Sequence, residues 1–518
     1  MDTAIFTASQ VRECERHTIE SHHCTTVDLM ERAGTACFLA IKELLTDTVF
    51  KTVYVFCGTG NNGGDGLVIA RQLALDSSGQ IDLVTVVICQ NDQSRRTDQF
   101  QENLRRWEAL NSTGRTRTVL FDETFVIPDD CLVVDAIFGI GLNKPASGVH
   151  AAAIRAINAS DAPVVAIDIP SGLFADRHTP HDSDIVMATV TLSIQFQKLA
   201  LLQSETYPFC GDVQVLDIGM SAPDGLEAEQ VCITEDFARS LIQYRNPYAH
   251  KGVFGHGLLI AGSASMPGAA ILAAKAALRG GIGKLTLHTS AMAAQHVPAT
   301  LPEAILHADP DPQCVSHIEW STLPQNINSI AIGPGLGRQP KTVALVKDVL
   351  DSIRTPLVID ADALNVLADN KTWLAFLPPF SILTPHVAEF ERLAGPADND
   401  FHRVEMARDF AKRYDIILLL KGHHTCISLP NGAQFFNTSG NDGMATAGSG
   451  DTLTGLLLAL LAQGYSPMTA ALFGTYLHGL AGDLYVRENA PHSLIASDLP
   501  QYFGKALRYL LPNPFHHK

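Results

Sequence analysis

A short glycine loop followed by an acid, GSGD at residues 448–451, could perform phosphoryl chemistry. Its glycines leave the backbone bare enough for a phosphate to approach, and residues 452–461 are predicted to form an apolar helix directly after it. The free N–H groups and the positive dipole end of that helix would then face a bound anion. At this junction, Asp451 could remove a proton from a hydroxyl beside a phosphoryl donor. The simpler alternative is a glycine turn whose aspartate only caps the helix.

A second group of polar residues follows an apolar strand in the first half of the chain. Residues 52–57 are predicted to form a strand, and GTGNNGGDG at 58–66 opens a helix after it. Although residues 58–63 have the spacing G-x-G-x-x-G, this turn is not expected to be a dinucleotide-binding fingerprint. Instead, Asn61, Asn62 and Asp65 bring amides and a carboxylate to the end of the strand.

Two more apolar strands, at residues 131–136 and 162–167, deliver Asp135 and Asp168 before glycine-rich loops. Carboxyl ends of parallel strands gather where the strand order of a doubly wound sheet reverses, so both acids should converge with Asn62. Oxygen ligands without histidine or cysteine suit a hard cation, and Ser171 could add a hydroxyl. The alternative is that both acids only cap loops.

Strand–helix alternation along the chain predicts an α/β protein with two doubly wound domains. Residues 9–45 should be helical, and apolar strands at 257–261, 330–332, 357–359, 382–383 and 416–420 restart the alternation in the second half. Residues 220–229, rich in Pro, Gly and acids, are expected to link the domains. We therefore predict a first domain of residues 1–225 and a second of 226–518.

Composition restricts the classes of partner. The chain has 518 residues, 46% hydrophobic and 18% charged, with a net charge of −17, which argues against nucleic acid as a partner. Residues 452–482 carry no charge, but Gly464 and Pro467 divide them into core-length helices, so a membrane span is not expected. Ten cysteines without a C-x-x-C pair, and an N-terminus without a secretory pattern, indicate reduced thiols in the cytoplasm.

The motifs of the chain resemble those of the bacterial bifunctional NAD(P)H-hydrate repair family. The first half is similar to the NAD(P)HX epimerase domain (YjeF N-terminal type) through GTGNNGGDG, VDAIFGIGL and DIPSG. The second half resembles the ADP-dependent, ribokinase-like NAD(P)HX dehydratase through HKGVFGHGLLIAGS, MPGAA, GPGLG, VIDADALN, LTPH, LLKG and GMATAGSGDTLTG. The resemblance implies repair of hydrated NADH and NADPH. The first domain would epimerise the R and S hydrates at C6, and the second would dehydrate the S hydrate by phosphorylation and elimination.

The resemblance also implies the site residues. Hydrate contacts in the first domain fall on Asn61, Asn62, Gly63, Gly64, Asp65, Gly139, Ile140, Gly141, Leu142, Asn143, Lys144, Pro145 and Asp168. Potassium falls on Asn62, Asp135 and Ser171. Hydrate contacts in the second domain fall on Ala269, Gly335, His386 and Asp451. Adenine-nucleotide contacts fall on Lys421, Gly422, His423, His424, Thr425 and Gly450. The chain departs from the family pattern at Ala447, Asp442 and Leu67, where a Gly, a Pro and often a Tyr are usual.

We expect Asp451 to be the base of the dehydratase and Asp168 to assist the hydroxyl in the epimerase. The expected cofactors are K⁺ in the first domain and Mg²⁺ with ADP as co-substrate in the second. The partners would be small molecules and a further copy of the chain, with neither nucleic acid nor membrane. For Lys144 a solvated loop lysine is the alternative, and for His386 a hydrogen-bonded loop histidine. Asp360 and Asp362 of DADALN could equally begin a capped helix.

Two other functions fit the same residues. The second half could belong to a small-molecule kinase of the ribokinase-like class, which would release a phosphorylated product. The first half could be a catalytically silent binding module fused to an enzyme, although a scaffold has no need of a polar crevice with a cation site.

Overall fold

The computed structural model describes residues 4–46, 48, 50–91, 94–110 and 114–511. The chain divides into two compact units between Ala228 and Glu229, and Asn399–Phe401 groups with the first unit. Each unit contains its own sheet, and the prediction of two α/β domains is confirmed.

The sheet of the first unit has seven strands, all parallel to their neighbours. Their spatial order is Thr116–Leu120, Leu83–Ile88, Thr52–Cys57, Cys131–Ala136, Val164–Ile167, Val190–Ile194 and Asp212–Leu216. Chain order reverses direction between the third and fourth of these strands, which are paired in register from Thr52 opposite Cys131 to Cys57 opposite Ala136. Loops leaving the two strands diverge there and open a crevice.

Helices cover both faces of this sheet. They are Ala8–Ser21, Thr26–Leu45, Asn61–Leu75, Asp98–Glu108, Val149–Asn158 and Tyr207–Cys210, with 3₁₀ turns at Leu199–Leu202 and Ser204–Thr206 and a short strand at Ala4–Ile5. On one face Ile41, Leu67 and Trp107 pack against the strands. On the other face Ile154 and Ile157 do so. Burial on both faces explains why these strands are almost continuously apolar.

The second unit contributes ten strands to a mixed sheet. Their order is Gln230–Ile233, Gln434–Asn437, Cys426–Ser428, Ile417–Leu420, Ile382–Leu383, Leu357–Ile359, Ser329–Ile332, His256–Ile260, Lys284–Thr289 and Ile305–Ala308. Cys426–Ser428 runs antiparallel to both neighbours, and the other pairs are parallel. The hairpin that Cys426–Ser428 makes with Gln434–Asn437 was not predicted from the sequence.

The helices of the second unit pack around this sheet. They are Glu235–Ser240, Pro267–Arg279, Ala291–Ala294, Val297–Thr300, Pro340–Ser352, Ala361–Asp369, Val387–Ala394, Asp400–Tyr414, Ser449–Ala462, Pro467–Val486 and Leu499–Leu510, with 3₁₀ turns at Trp320–Thr322, Lys371–Phe376, Asp442–Met444 and Pro491–Ser493. Ser449–Ala462 lies directly on the alanine-rich Pro267–Arg279, and a Cβ on Gly455 would overlap the carbonyl of Ala273. This close packing buries the helix that begins at the GSGD loop.

Two sequence predictions about helices have different outcomes. Residues 9–45 form two helices, because Thr25 starts a new one. The Thr25 hydroxyl accepts the N–H of Asp28 at 3.1 Å, and the Asp28 carboxylate accepts the N–H of Thr25 at 2.8 Å. The uncharged run 452–482 is divided as predicted, with Gly464 at φ +86° between the helices. No helix in the described part of the chain has the length and apolarity needed to cross a bilayer.

Candidate functional site

The first unit contains a cavity of about 740 Å³ beside the reversal point of its sheet. Predicted substrate residues that line it are Asn61, Asn62, Asp65, Gly139, Ile140, Gly141, Leu142, Asn143, Lys144, Pro145 and Asp168. The cavity has the size of an ordinary small-molecule site. Gly63 and Gly64 are buried within the helix Asn61–Leu75. A Cβ on Gly63 would overlap the carbonyl of Gly58, so this glycine lets the helix start close to the preceding strand.

Asp168 is held in a conformation that few non-glycine residues adopt. Its φ is +71°, in the left-handed region. The Asp168 N–H donates to the carbonyl of Leu192 at 2.8 Å, and the side-chain Oδ2 accepts the N–H of Ile140 at 3.2 Å. Oδ1 lies 2.5 Å from Nζ of Lys198. These contacts stabilise the backbone and direct the carboxylate toward the loop that lines the cavity.

Asp135 and Ser171 lie together behind the cavity wall, and both are fully buried. The Asp135 carboxylate accepts the Ser171 N–H at 2.8 Å and its hydroxyl at 2.6 Å. Burial raises the pKa of Asp135 to about 6, although these hydrogen bonds favour the carboxylate. Neither residue is among those lining the cavity, so contact of Asp135 with a substrate is not supported.

The side chains around Asp135 fit a monovalent cation. The Ser171 hydroxyl lies 2.6 Å from Oδ1 of Asp135 and 3.2 Å from the carbonyl oxygen of Phe138, which brings three oxygens together. A Cβ on Gly139 would lie 3.4 Å from Oδ1 of Asn62, so Asn62 packs against the residue that follows Phe138. The Nδ2 atom of Asn62 is buried without a hydrogen-bond partner among the described residues. Oxygen donors around a buried carboxylate suit a hard cation such as potassium.

Other acids share the cavity with Asp168. Burial, and the negative charges of Asp168 and Glu15, raise the pKa of Asp65 well above its usual range. Burial and Asp168 likewise raise the pKa of Glu15, against the opposing charges of Arg12 and Lys198. The site therefore favours ligands that bring positive charge or hydrogen-bond donors toward these carboxylates.

In the second unit the GSGD loop opens the helix Ser449–Ala462. Gly448, the N-cap residue, has φ +94°, and no side chain makes a cap hydrogen bond there. A glycine is required because this backbone conformation is strained for other residues. Asp451 is the third residue of the helix and forms no capping box with Gly448, so the capping alternative is not supported. A Cβ on Gly448 would lie 3.8 Å from Oδ2 of Asp451, so the carboxylate stays beside the loop.

Asp360 contacts two polar residues near this loop, Lys421 and Thr454. It precedes the helix Ala361–Asp369 without a side-chain cap bond, so the capping alternative is wrong for Asp360. Its buried carboxylate accepts the Thr454 hydroxyl at 2.7 Å and Nζ of Lys421 at 3.0 Å. Burial would raise the pKa of Asp360, but the charge of Lys421 and the hydrogen bond from Thr454 outweigh burial and lower the pKa. Nζ of Lys421 lies 3.2 Å from the position of a Cβ on Gly450.

Asp451 has the acidity that a general base needs at neutral pH. Burial, and then the negative charge of Asp360, raise the pKa of Asp451 from its usual 3.8 to about 7, while Lys421 opposes the shift. A base with a pKa near the working pH combines a useful fraction of carboxylate with a strong affinity for the proton.

The pH dependence of any reaction that uses Asp451 as a base follows from this pKa. We expect kcat/KM of the second unit to rise about tenfold per pH unit below pH 7 and to level off above it, since only the carboxylate accepts a proton. Initial rates in overlapping buffers between pH 5.5 and pH 8.5 measure this, with first-unit activity of the same samples as the control. A rate independent of pH across that range would contradict the assignment.

The remaining predicted residues of the second unit lie at neighbouring strand ends. The His386 ring accepts the N–H of Glu389 at 3.3 Å, as a helix cap, and is half exposed. The Lys421 N–H donates to the carbonyl of Pro385, which places Lys421 beside His386. Asp362 accepts the N–H of Gly337 at 2.8 Å.

Three further pairs of predicted residues are adjacent in space. A Cβ on Gly335 would lie 2.8 Å from Cβ of Ala269. The rings of His423 and His424 are 4.5 Å apart, and burial followed by the charge of His423 lowers the pKa of His424 to about 4. The buried Thr425 hydroxyl donates to the carbonyl of Gly422 at 3.3 Å.

Sequence reasoning missed three polar residues of these sites. Lys198 contacts Asp168, Glu15 lines the first cavity, and Thr454 contacts Asp360. A lone lysine inside the apolar run FQKLALL was a usable signal, because lysine is rarely buried without a partner. Nothing in the sequence around Glu15 or Thr454 distinguishes them from helix residues.

Comparison with protein families divides the chain in the same way. Residues 26–200 match the model described as "YjeF-related protein N-terminus". Residues 257–504 match the model described as "NAD(P)H-hydrate dehydratase".

Individual relatives match almost the full length. The bifunctional NAD(P)H-hydrate repair enzyme Nnr of Moorella thermoacetica is 35% identical over 530 residues, covering 98% of this chain and 97% of the relative. The enzyme of the same name from Salinibacter ruber is 34% identical, covering 96% and 94%. The crystal structure of ADP/ATP-dependent NAD(P)H-hydrate dehydratase from Bacillus subtilis with ATP and Mg²⁺ is 32% identical, with a TM-score of 0.47, covering 54% of this chain and 98% of that one.

Fold and sites together define a two-domain α/β enzyme with a ribokinase-like second domain. The chain belongs to the family of bifunctional NAD(P)H-hydrate repair enzymes.

Proposed function

We propose that this chain repairs hydrated NADH and NADPH in two steps. The first domain, residues 1–225, interconverts the R and S hydrates, and the second, residues 226–518, dehydrates the S hydrate at the expense of ADP. The observation that carries the proposal is Asp451, a half-buried acid with a pKa of about 7 beside a glycine-opened helix N-terminus. Similarity to bifunctional repair enzymes over 98% of the chain supports both activities.

Epimerisation requires the C6 hydroxyl to leave one face of the ring and water to add to the other. C6 is bonded to nitrogen, so cleavage of the C–O bond gives an iminium ion and hydroxide. Addition of water to the iminium, with loss of one proton, restores the hydrate with either configuration. Asp168 is placed to exchange the proton of the hydroxyl, and fixed dipoles around the cavity stabilise the positive ring.

Dehydration requires a better leaving group than hydroxide. Asp451 removes the hydroxyl proton, and the oxygen attacks the terminal phosphorus of ADP, releasing AMP. The N–H groups at the start of Ser449–Ala462 and the ammonium of Lys421 stabilise charge on the transferred phosphoryl group. The phosphate then leaves with the C6–O electron pair while a proton leaves C5. This forms the C5=C6 double bond of the reduced coenzyme.

Potassium would be held by Asp135 and Ser171, with Asn62 nearby, and would supply positive charge behind the cavity wall. We expect epimerisation to fall at least about threefold when K⁺ is replaced by tetramethylammonium at equal ionic strength, because the buried Asp135 charge loses its counter-ion. Dehydration of the S hydrate in the same buffers is the control. An epimerisation rate unaffected by the exchange would contradict the cation site.

Nucleotide contacts are assigned to Gly450 and to the turn Lys421–Thr425, where Lys421 stands beside Gly450. Mg²⁺ would be bound mainly by the nucleotide phosphates and water. The described residues contain no cluster of three or more His, Cys, Asp or Glu suited to a metal ion. Asp360 is already engaged by Lys421 and Thr454, so its role is to hold Lys421 in place.

The ten cysteines are free thiols, which together with a coenzyme substrate supports the expected cytoplasmic location. Assembly into a homo-oligomer stays a prediction from the family resemblance.

The test is dehydration of purified S hydrate with ADP, with ATP and without nucleotide, measured as recovered absorbance of the reduced coenzyme. The proposal predicts recovery with ADP, stoichiometric AMP and phosphate, and none without nucleotide. Accumulation of a phosphorylated hydrate without recovery of coenzyme would identify a kinase instead.

A further inference from the structure

Lys198 is a buried lysine that contacts Asp168 from behind the lining of the first cavity. It is 1% exposed and follows the strand Val190–Ile194. Lysine is almost never buried to this extent without charged or polar partners. Lys198 is not among the site residues that the family resemblance implies, so its presence requires a separate explanation.

Three acceptors surround the ammonium of Lys198. Nζ lies 2.5 Å from Oδ1 of Asp168, 2.9 Å from Oγ of Ser193 and 2.9 Å from the carbonyl oxygen of Ile194. Ser193 uses its own proton to donate to the carbonyl of Phe196 at 2.9 Å, so it presents a lone pair to Lys198. An ammonium group has three N–H donors, and each has one acceptor here. Its position is therefore fixed.

The other oxygen of Asp168 faces the cavity side. Oδ2 accepts the N–H of Ile140 and lies 3.0 Å from the position of a Cβ on Gly139, in the loop that lines the cavity. One carboxylate oxygen of Asp168 therefore contacts Lys198, and the other lies beside the cavity.

The ionisable groups around Asp168 make its contact with Lys198 important. Burial and the charge of Asp168 raise the pKa values of Asp65 and Glu15, and burial raises the pKa of the Cys37 thiol, so these groups favour their neutral forms, while Arg12 is exposed. Among these groups Lys198 is the buried cation. Without Lys198, the Asp168 carboxylate would lose its buried charged partner and the contact that holds Oδ1.

We propose that Lys198 is a positioning residue of the epimerase site, which fixes the orientation of Asp168 beside the C6 hydroxyl. This inference rests on the proposed epimerisation. It predicts that loss of the ammonium lowers the rate of the chemical step more than it weakens substrate binding, because Lys198 acts through Asp168 and lies outside the cavity lining.

The experiment uses the full-length chain with Lys198→Met, which keeps the length of the side chain and removes its charge. Epimerisation of the R hydrate is followed by chiral chromatography without nucleotide. We expect kcat to fall at least about 30-fold and KM to change by less than about threefold. The surface variant Lys51→Met is the matched control and should behave as wild type.

Chemical rescue distinguishes a positioned charge from a packing role. In Lys198→Ala, propylammonium chloride should restore at least about a tenth of the lost kcat, and n-propanol, of similar size but neutral, should not. Equal rescue by the two compounds would assign Lys198 to packing.

If the Lys198 variants do not fold, two less disruptive variants of the neighbouring strand test the same inference. Ser193→Ala removes one anchor of Nζ without touching Asp168, and Thr191→Val removes a buried hydroxyl on the same strand that bonds to Cys210 instead. We expect kcat to fall about threefold or more only in Ser193→Ala. A folded Lys198→Met with kcat within threefold of wild type, or equal effects of the two strand variants, would overturn the inference. If wild type itself fails to epimerise, the proposed function fails instead.

Discussion

Asp451→Asn is expected to abolish dehydration of the S hydrate and to leave epimerisation intact. The amide cannot accept the hydroxyl proton, and a positioned general base contributes about 10²–10⁴-fold. The fall should appear in kcat. Asparagine has nearly the shape of aspartate, so the packing beside Gly448 is kept and only the proton acceptor is lost. Recovery of coenzyme from S hydrate with ADP measures the first effect, and interconversion of hydrates without nucleotide measures the second.

The same variant should gain stability at alkaline pH. The folded chain binds the Asp451 proton more tightly than the unfolded chain, so this acid contributes stability below about pH 4 that is lost as the pH rises through about 7. Asparagine does not titrate, so the stability of the Asp451→Asn variant does not fall over this pH range for this reason. We expect on the order of 1–2 kcal/mol of added stability at pH 8, after allowance for solvent screening, and none near pH 4.

Thermal melting at both pH values checks the expected gain. Asp442→Asn, at an exposed acid shortly before the loop, is the matched control for activity and melting. Normal coenzyme recovery by Asp451→Asn would refute the role of Asp451.

Asp168→Asn is expected to confine repair to the S hydrate. Asparagine tolerates the left-handed backbone at this position, so the variant removes the charge with little added strain. We expect epimerisation to fall at least about 100-fold, while dehydration of S hydrate with ADP is unchanged. Lys198 loses its charged partner in this variant, so the melting temperature should also fall.

An equimolar mixture of the R and S hydrates measures this directly, because half of it should return as coenzyme at the normal rate and the rest only as fast as spontaneous epimerisation allows. Asp161→Asn, at an exposed acid before the same strand, is the control. If Asp168→Asn consumes the R hydrate as fast as wild type does, the first-domain site is misplaced.

The sequence predicted the parallel strands and the acids at their ends most accurately. The strands Thr52–Cys57, Cys131–Ala136 and Leu357–Ile359 were predicted with the bounds that the structure has. Strands buried on both faces are continuous apolar runs, and the residue that ends such a run is easily recognised, as Asp168 and Asp360 illustrate.

Partners distant in sequence could not be predicted. Asp360 contacts Lys421 and Thr454 across 61 and 94 residues, and no local pattern encodes such pairs. Asp168 reaches Lys198 only because the strands Val164–Ile167 and Val190–Ile194 are neighbours in the sheet. The capping alternative at Asp360 failed because its carboxylate contacts Lys421 and Thr454 instead of the N–H groups of the helix.

The most direct measurement of the central claim starts from pure R hydrate of NADH and the full-length chain with K⁺, Mg²⁺ and ADP. We predict complete recovery of NADH with one AMP and one phosphate released per NADH, and only an R/S mixture when ADP is omitted. Recovery that does not depend on nucleotide, or R hydrate that is never consumed faster than it epimerises by itself, would contradict the account.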